Sequence, residues 1–118
     1  MGDRVSIQFA KHQSKDWIEY SAVLHHHWGG QAFPLLAKRF VENLQPKDPK
    51  KPSFSPTDRL EPSAVMIDFI GYAIKQDPNH YHSMRAVPTS KDCDNSDNGH
   101  FVIWLDDRNN IKIERRWI

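Results

Sequence analysis

Near the start of the chain Val5, Ile7 and Phe9 alternate with Arg4, Ser6 and Gln8. A period of two is that of a strand with one buried face. Residues 12–16 are polar and turn-like, and Ile18, Tyr20, Ala22 and Leu24 then alternate again up to His26. The pattern predicts an antiparallel hairpin. Beyond Gly30 the period changes: Phe33, Leu36, Ala37, Phe40, Val41 and Leu44 recur at helical spacing, with Lys38, Arg39 and Glu42 opposite. This is an amphipathic helix, and Pro34 fits its first turn, where a missing N–H costs little.

Residues 45–61 contain Pro46, Pro49, Pro52 and Pro56 among lysines, which excludes a regular element and reads as a linker. A second helix is expected over 64–76. Its apolar residues Val65, Met66, Ile67, Phe69, Ile70, Tyr72, Ala73 and Ile74 surround it, the mark of a buried helix. Asp68 interrupts that surface, and a buried carboxylate must find a partner. Residues 77–99 read as a polar loop. Phe101, Ile103 and Leu105 alternate with Val102, Trp104 and Asp106. A turn at 107–110 and Ile111, Ile113 and Trp117 complete a second hairpin.

The expected fold is α+β in the order β-β-α-α-β-β: a single domain over 1–118, with an antiparallel four-stranded sheet and two helices on one face. Trp17, Val23, Val102 and Trp104 fall on the other face. That face is apolar enough that a second copy is expected to cover it, making a homo-oligomer.

Composition narrows the function classes. The net charge is +1, so no basic field for nucleic acid exists. One cysteine, Cys93, excludes an internal disulfide and fits a reducing compartment. No signal peptide or membrane span is read, so a cytoplasmic protein with no membrane partner is expected.

The turn His25-His26-His27-Trp28-Gly29-Gly30 joins a strand to a helix. Glycines let backbone approach a ligand, and a helix start offers free N–H donors to an anion. A second polar cluster, Asn79 to Arg85, holds His80, Tyr81, His82 and Arg85, residue types that hold phosphate and stack on rings. The candidate ligand-binding set is therefore His25, His27, Trp28, Gly29, Gly30, His80, Tyr81, His82 and Arg85. His25 and His27 could share a metal at i, i+2, but a turn shaped only for backbone geometry or an anion site outweighs that, and no metal or cofactor is assigned. The run from Asp92 to Gly99 lacks the glycine and the terminal acid of a calcium loop. The aspartates beside Cys93 make it a poor nucleophile. No phosphate-loop, dinucleotide, zinc-protease or nucleophile-elbow motif is present.

Arg4-Val5-Ser6-Ile7-Gln8-Phe9 followed by Ser21-Ala22-Val23-Leu24-His25-His26-His27-Trp28-Gly29-Gly30 resembles a group of small phage and prokaryotic proteins sharing R-V-S-I-x-F and S-x-x-L-x-x-H-W-G-G. The resemblance covers about the first 45 residues and brings no activity with it. A phage setting implies a compact anti-defence or host-takeover protein, including one that sequesters a signalling nucleotide. The expectation is a protein that binds a small anionic, nucleotide-like ligand at this turn. A histidine-dependent hydrolase or phosphodiesterase and a non-enzymatic protein-interaction module stand as alternatives.

Overall fold

A computed structural model describes residues 2–44 and 59–116. Most of the 45–61 linker, and Trp117, lie outside the described residues. The elements are β1 (Val5–Ser14), β2 (Trp17–Tyr20), β3 (Val23–His26), α1 (Ala32–Glu42), α2 (Pro62–Gln76), α3 (His80–Ser83), β4 (Met84–Val87), β5 (His100–Trp104) and β6 (Lys112–Arg116). The α+β class stands, but the sheet has six strands rather than four, in the order β4-β3-β1-β5-β6 with β2 on the far half of β1. It is also mixed: β1 and β5 run parallel, and the other pairs are antiparallel.

Three local features account for the differences. First, the expected second strand is two strands. β2 pairs through Ala10↔Tyr20, β3 through Ile7↔Leu24, so the register advances by one residue at Ser21–Ala22. Such a bulge re-aims side chains. Leu24 and His26 thus join the face of Val5 and Ile7, while Ile18 and Tyr20 turn to the face of Ala10 and His12. The Ser21 hydroxyl accepts from the Phe9 N–H at 2.9 Å and holds the bulge. Second, the polar stretch 77–99 contains α3 and the edge strand β4. Four residues beside two histidines are too few to show a period. Third, β4 and β5 run the same way on opposite sides of β3 and β1, so residues 88–99 cross the sheet face. Asp94 and Asn95 touch His25 and Ser6 there.

The core lies between the sheet and the helices. Phe9, Phe33 and Phe69 are fully buried within it and pack ring to ring at 5.4–5.9 Å. α1 buries Phe33, Pro34, Ala37 and Val41; of the stripe read from spacing, Phe33, Ala37 and Val41 are fully inside and Leu36, Phe40 and Leu44 are partly buried against the core. α2 is not enclosed on every side: it buries Pro62, Val65, Met66, Phe69 and Ala73, while Asp68 is exposed and Ile67 is 69% exposed. Packed on α1, α3 and the sheet, α2 leaves one flank to solvent.

The second sheet face needs no partner to bury Val23 and Val102, which are fully buried within this chain. Trp104 stacks on His12 at 5.0 Å and is half-buried; Trp17 is exposed at the tip of the β1–β2 hairpin. No described helix is long and apolar enough to cross a membrane.

Candidate functional site

The end of the sheet at β3 and β4 positions the chemistry. His25 pairs with Arg85 across β3 and β4, and His26 with Met84. The pairing runs on into the turn, where the His27 N–H donates to the Ser83 carbonyl at 2.9 Å. On the other side of the turn the Asp3 N–H donates to the His27 carbonyl at 3.0 Å. The histidine run is thus clamped between β1 and the α3–β4 junction. Strand alternation sends His25 to the crossover face and His26 to the core face.

On the crossover face lies an open cleft of about 370 Å³, lined by Arg4, His25, His27, His82, Ser83, Met84, Arg85 and Asp94. Arg4 binds Asp94 and Asp97 through its guanidinium, with Nε 2.8 Å from Asp97. The Arg4 hydrogen bonds pull Asp97 down to about 2, and Asp97 in turn raises Arg4. Asp94 is held low first by the Ser96 hydroxyl and backbone N–H, then by Arg4. Arg85 is exposed and has no salt-bridge partner among the described residues. His25 donates from Nε2 to the Asp94 carbonyl at 2.7 Å, which leaves Nδ1 as its acceptor. Burial lowers the His25 pKa, and Arg85 and His27 push it the same way. The cleft wall is therefore a neutral imidazole, two exposed imidazoles and two guanidiniums, of which only Arg4 already has counter-charges.

His26 faces the other way. Its Nδ1 accepts the Trp28 N–H at 3.1 Å and its Nε2 lies 2.7 Å from His80 Nδ1. The ring packs on Phe33 at 4.6 Å. Burial, then His80, takes its pKa down to about 4. A second cavity of about 340 Å³ opens beside this pair, lined by His26, Trp28, Gly29, Asp77, Asn79, His80 and Ser83.

Of the residues singled out from sequence, His25, His27, His82 and Arg85 share the first cleft, while Trp28, Gly29 and His80 line the second. Tyr81 lines neither; it faces an apolar groove with Leu24, Ile70 and Ile74 that shares Met84 and Arg85 with the first cleft, and its ring meets His82 at 5.3 Å. The two glycines serve packing. Gly30 has φ +58° and donates its N–H to the Asp3 carbonyl at 2.8 Å, and a Cβ there would collide with the Asp3 carboxylate. A Cβ on Gly29 would stand 2.7 Å from Phe33 Cβ. Arg4, Ser83, Met84 and Asp94 were missed. Arg4 and Asp94 are 90 residues apart and meet only because residues 88–99 cross the sheet, a contact with no local signature.

Among the described residues no group of three His, Cys, Asp or Glu converges to hold a metal. Asn95 and Asn98 are buried in the crossing loop, and Cys93 is half-buried with its thiol pKa raised, chiefly by burial. No protein-family model, curated protein or solved structure matches the chain.

Proposed function

We propose that this protein binds a small phosphate-bearing anion, nucleotide-like in class, in the cleft between β3, β4 and the crossing loop. The observation that carries this is Arg85: an exposed guanidinium without a salt-bridge partner among the described residues, beside His25, His27 and His82. A guanidinium fork suits phosphate geometry, and neighbouring imidazoles add donors. Arg4, already compensated by two carboxylates, shapes the wall more than it attracts charge. Sequestering a signalling nucleotide is the role that the resemblance to small phage proteins suggests.

Titration calorimetry of the full chain with inorganic phosphate, ribose 5-phosphate and nucleotides tests the reading. Binding that weakens tenfold or more in Arg85→Ala supports it; a loss of that size equals about 1.4 kcal/mol. Absence of binding to every anion overturns it. A hydrolase reading draws on His27 and His82 lining one cleft, as an acid–base pair on a phosphoester would. No hydrogen bond joins their rings among the described residues, so binding without turnover is the simpler function. Product release from a bound phosphodiester, abolished in His82→Gln, would reverse that order. The interaction-module reading loses half its support, since Trp104 is covered by His12 and only Trp17 of that pair is exposed.

A further inference from the structure

The second cavity differs from the first in charge, and the difference specifies what each holds. We infer that the two form one bipartite site in which the first cleft takes the phosphate and the second takes the uncharged ring of a purine nucleoside monophosphate. This rests on the phosphate reading above and adds to it the class of the group attached.

The two spaces open on opposite faces of the β3–β4 pair and meet round its end, at the His27–Ser83 hydrogen bond: Ser83 lines both, and His27 of the first packs edge-on against Trp28 of the second at 4.8 Å. Among the described residues no arginine or lysine lines the second cavity, where Asp77 contributes a carboxylate; Arg39 lines a separate cavity that shares Gly29 and His80. A phosphate is repelled there, so the second cavity suits the uncharged end of a nucleoside monophosphate. The Trp28 indole is 58% exposed and offers an open face to a flat ring. Stacking of bases on aromatic side chains is tolerant of base identity, which leaves hydrogen bonds to select the ring.

Those hydrogen bonds are set by the histidine pair. His26 Nδ1 accepts from Trp28, so the proton of a neutral His26 is on Nε2 and is donated to His80 Nδ1. A neutral His80 must then carry its own proton on Nε2, which makes its ring a fixed N–H donor at the cavity wall. Asp77 accepts the Asn79 N–H through Oδ1 at 3.0 Å and keeps Oδ2 as an acceptor. One fixed donor and one carboxylate acceptor match the edge of a nucleobase, which presents ring-nitrogen or carbonyl acceptors next to N–H donors, and the two-ring purine covers more of the exposed indole than a single ring does.

Calorimetry at neutral pH with inorganic phosphate, ribose 5-phosphate, AMP and GMP tests it. The expected result is a purine monophosphate at least tenfold tighter than ribose 5-phosphate. Trp28→Ala should erase that gain and leave ribose 5-phosphate binding unchanged; Asp77→Asn should reduce the gain without touching sugar-phosphate affinity. Trp28 is exposed, so the variant keeps its core. Equal affinity for nucleotide and ribose 5-phosphate, or a gain that survives Trp28→Ala, overturns the ring site while the anion cleft stands. No binding of any of the four compounds overturns both.

Discussion

His26 Nε2 and His80 Nδ1 lie 2.7 Å apart, and only one proton fits between them. Because the Trp28 N–H occupies His26 Nδ1, neither ring can take up a second proton without losing a hydrogen bond. The pair is a lock that holds α3 against β3 in its neutral form. Imidazole nitrogen resonances at pH 7.5 should show both rings protonated on Nε2 alone. Observation of the Nδ1–H tautomer at His26 would contradict the hydrogen-bond direction argued here.

His80→Asn and His80→Leu separate the hydrogen bond from the ring. An asparagine Oδ1 can occupy the place of Nδ1 and accept from His26, so this variant should stay close to the parent. Leucine leaves a buried N–H without a partner, which costs about 1–3 kcal/mol. Urea denaturation of both variants reads the difference. Equal stability would mean that the 2.7 Å contact contributes nothing.

Acid should weaken the fold in a defined window. Burial takes His26 and His100 down to about 4 in the folded chain, from 6.5 in the unfolded one, and lowers His25 as well. The unfolded chain then binds more protons between those values, so stability is full above about 6.5 and falls as the pH drops towards 4. Each of the two strongly shifted histidines contributes on the order of 2–3 kcal/mol across the window. Denaturation midpoints at pH 7 and pH 5 should differ by that sign. A flat profile between them would sink the assignment of both rings as buried and neutral.

Gly30→Ala should destabilise the turn by about 1–3 kcal/mol, since Gly30 sits at φ +58° and a Cβ meets the Asp3 carboxylate. The strain part is intrinsic and the collision part depends on Asp3. Gly30→Ala should therefore cost less in an Asp3→Ala background. Thermal melts of the four-member cycle give the coupling. Additive costs would mean that the carboxylate moves aside freely.

The elements with strong periods could be read from residues alone. The Val5-Ile7-Phe9 alternation is β1, and the Phe33-Ala37-Val41 stripe is the buried side of α1. What escaped was set by single residues or by distance. Ser21 and Ala22 shift the register by one residue, which no alternation count detects. Met84–Val87 is too short to show a period and gains its strand form from pairing with β3. The crossing of residues 88–99, which brings Asp94 to Arg4 and parallel β5 to β1, is tertiary. Half of the candidate site was legible because His25, His27 and His82 are chemically conspicuous, and strand alternation already sets His25 and His26 on opposite faces; what was not legible is which distant residues complete each cleft, Arg4 and Asp94 on one side and Asp77 on the other.

The crossing loop is fastened by a chain of hydrogen bonds that runs in one direction. Asn95 Nδ2 donates to Ser6 Oγ at 2.8 Å, which leaves the Ser6 hydroxyl proton for His100 Nδ1 at 2.8 Å. His100 then carries its proton on Nε2 and donates to Gln8 Oε1 at 3.1 Å, and Gln8 Nε2 donates to the Ser21 carbonyl at 2.9 Å. Asn95 is the end of this chain that lies on the loop, next to the Asp94 carbonyl that holds His25. Asn95→Ala should cost about 1–3 kcal/mol, since Asn95 Nδ2 also donates to the Ser90 carbonyl at 3.3 Å and both bonds at a buried site are lost. It should also speed exchange of the loop amides at 92–98 more than those of β1, because the sheet keeps its own ladder. The same variant should weaken anion binding in the first cleft by loosening the Asp94 wall. Hydrogen exchange by mass spectrometry with a parallel calorimetric titration checks both. Unchanged loop exchange with unchanged stability would show that the loop is held across the sheet by contacts other than Asn95.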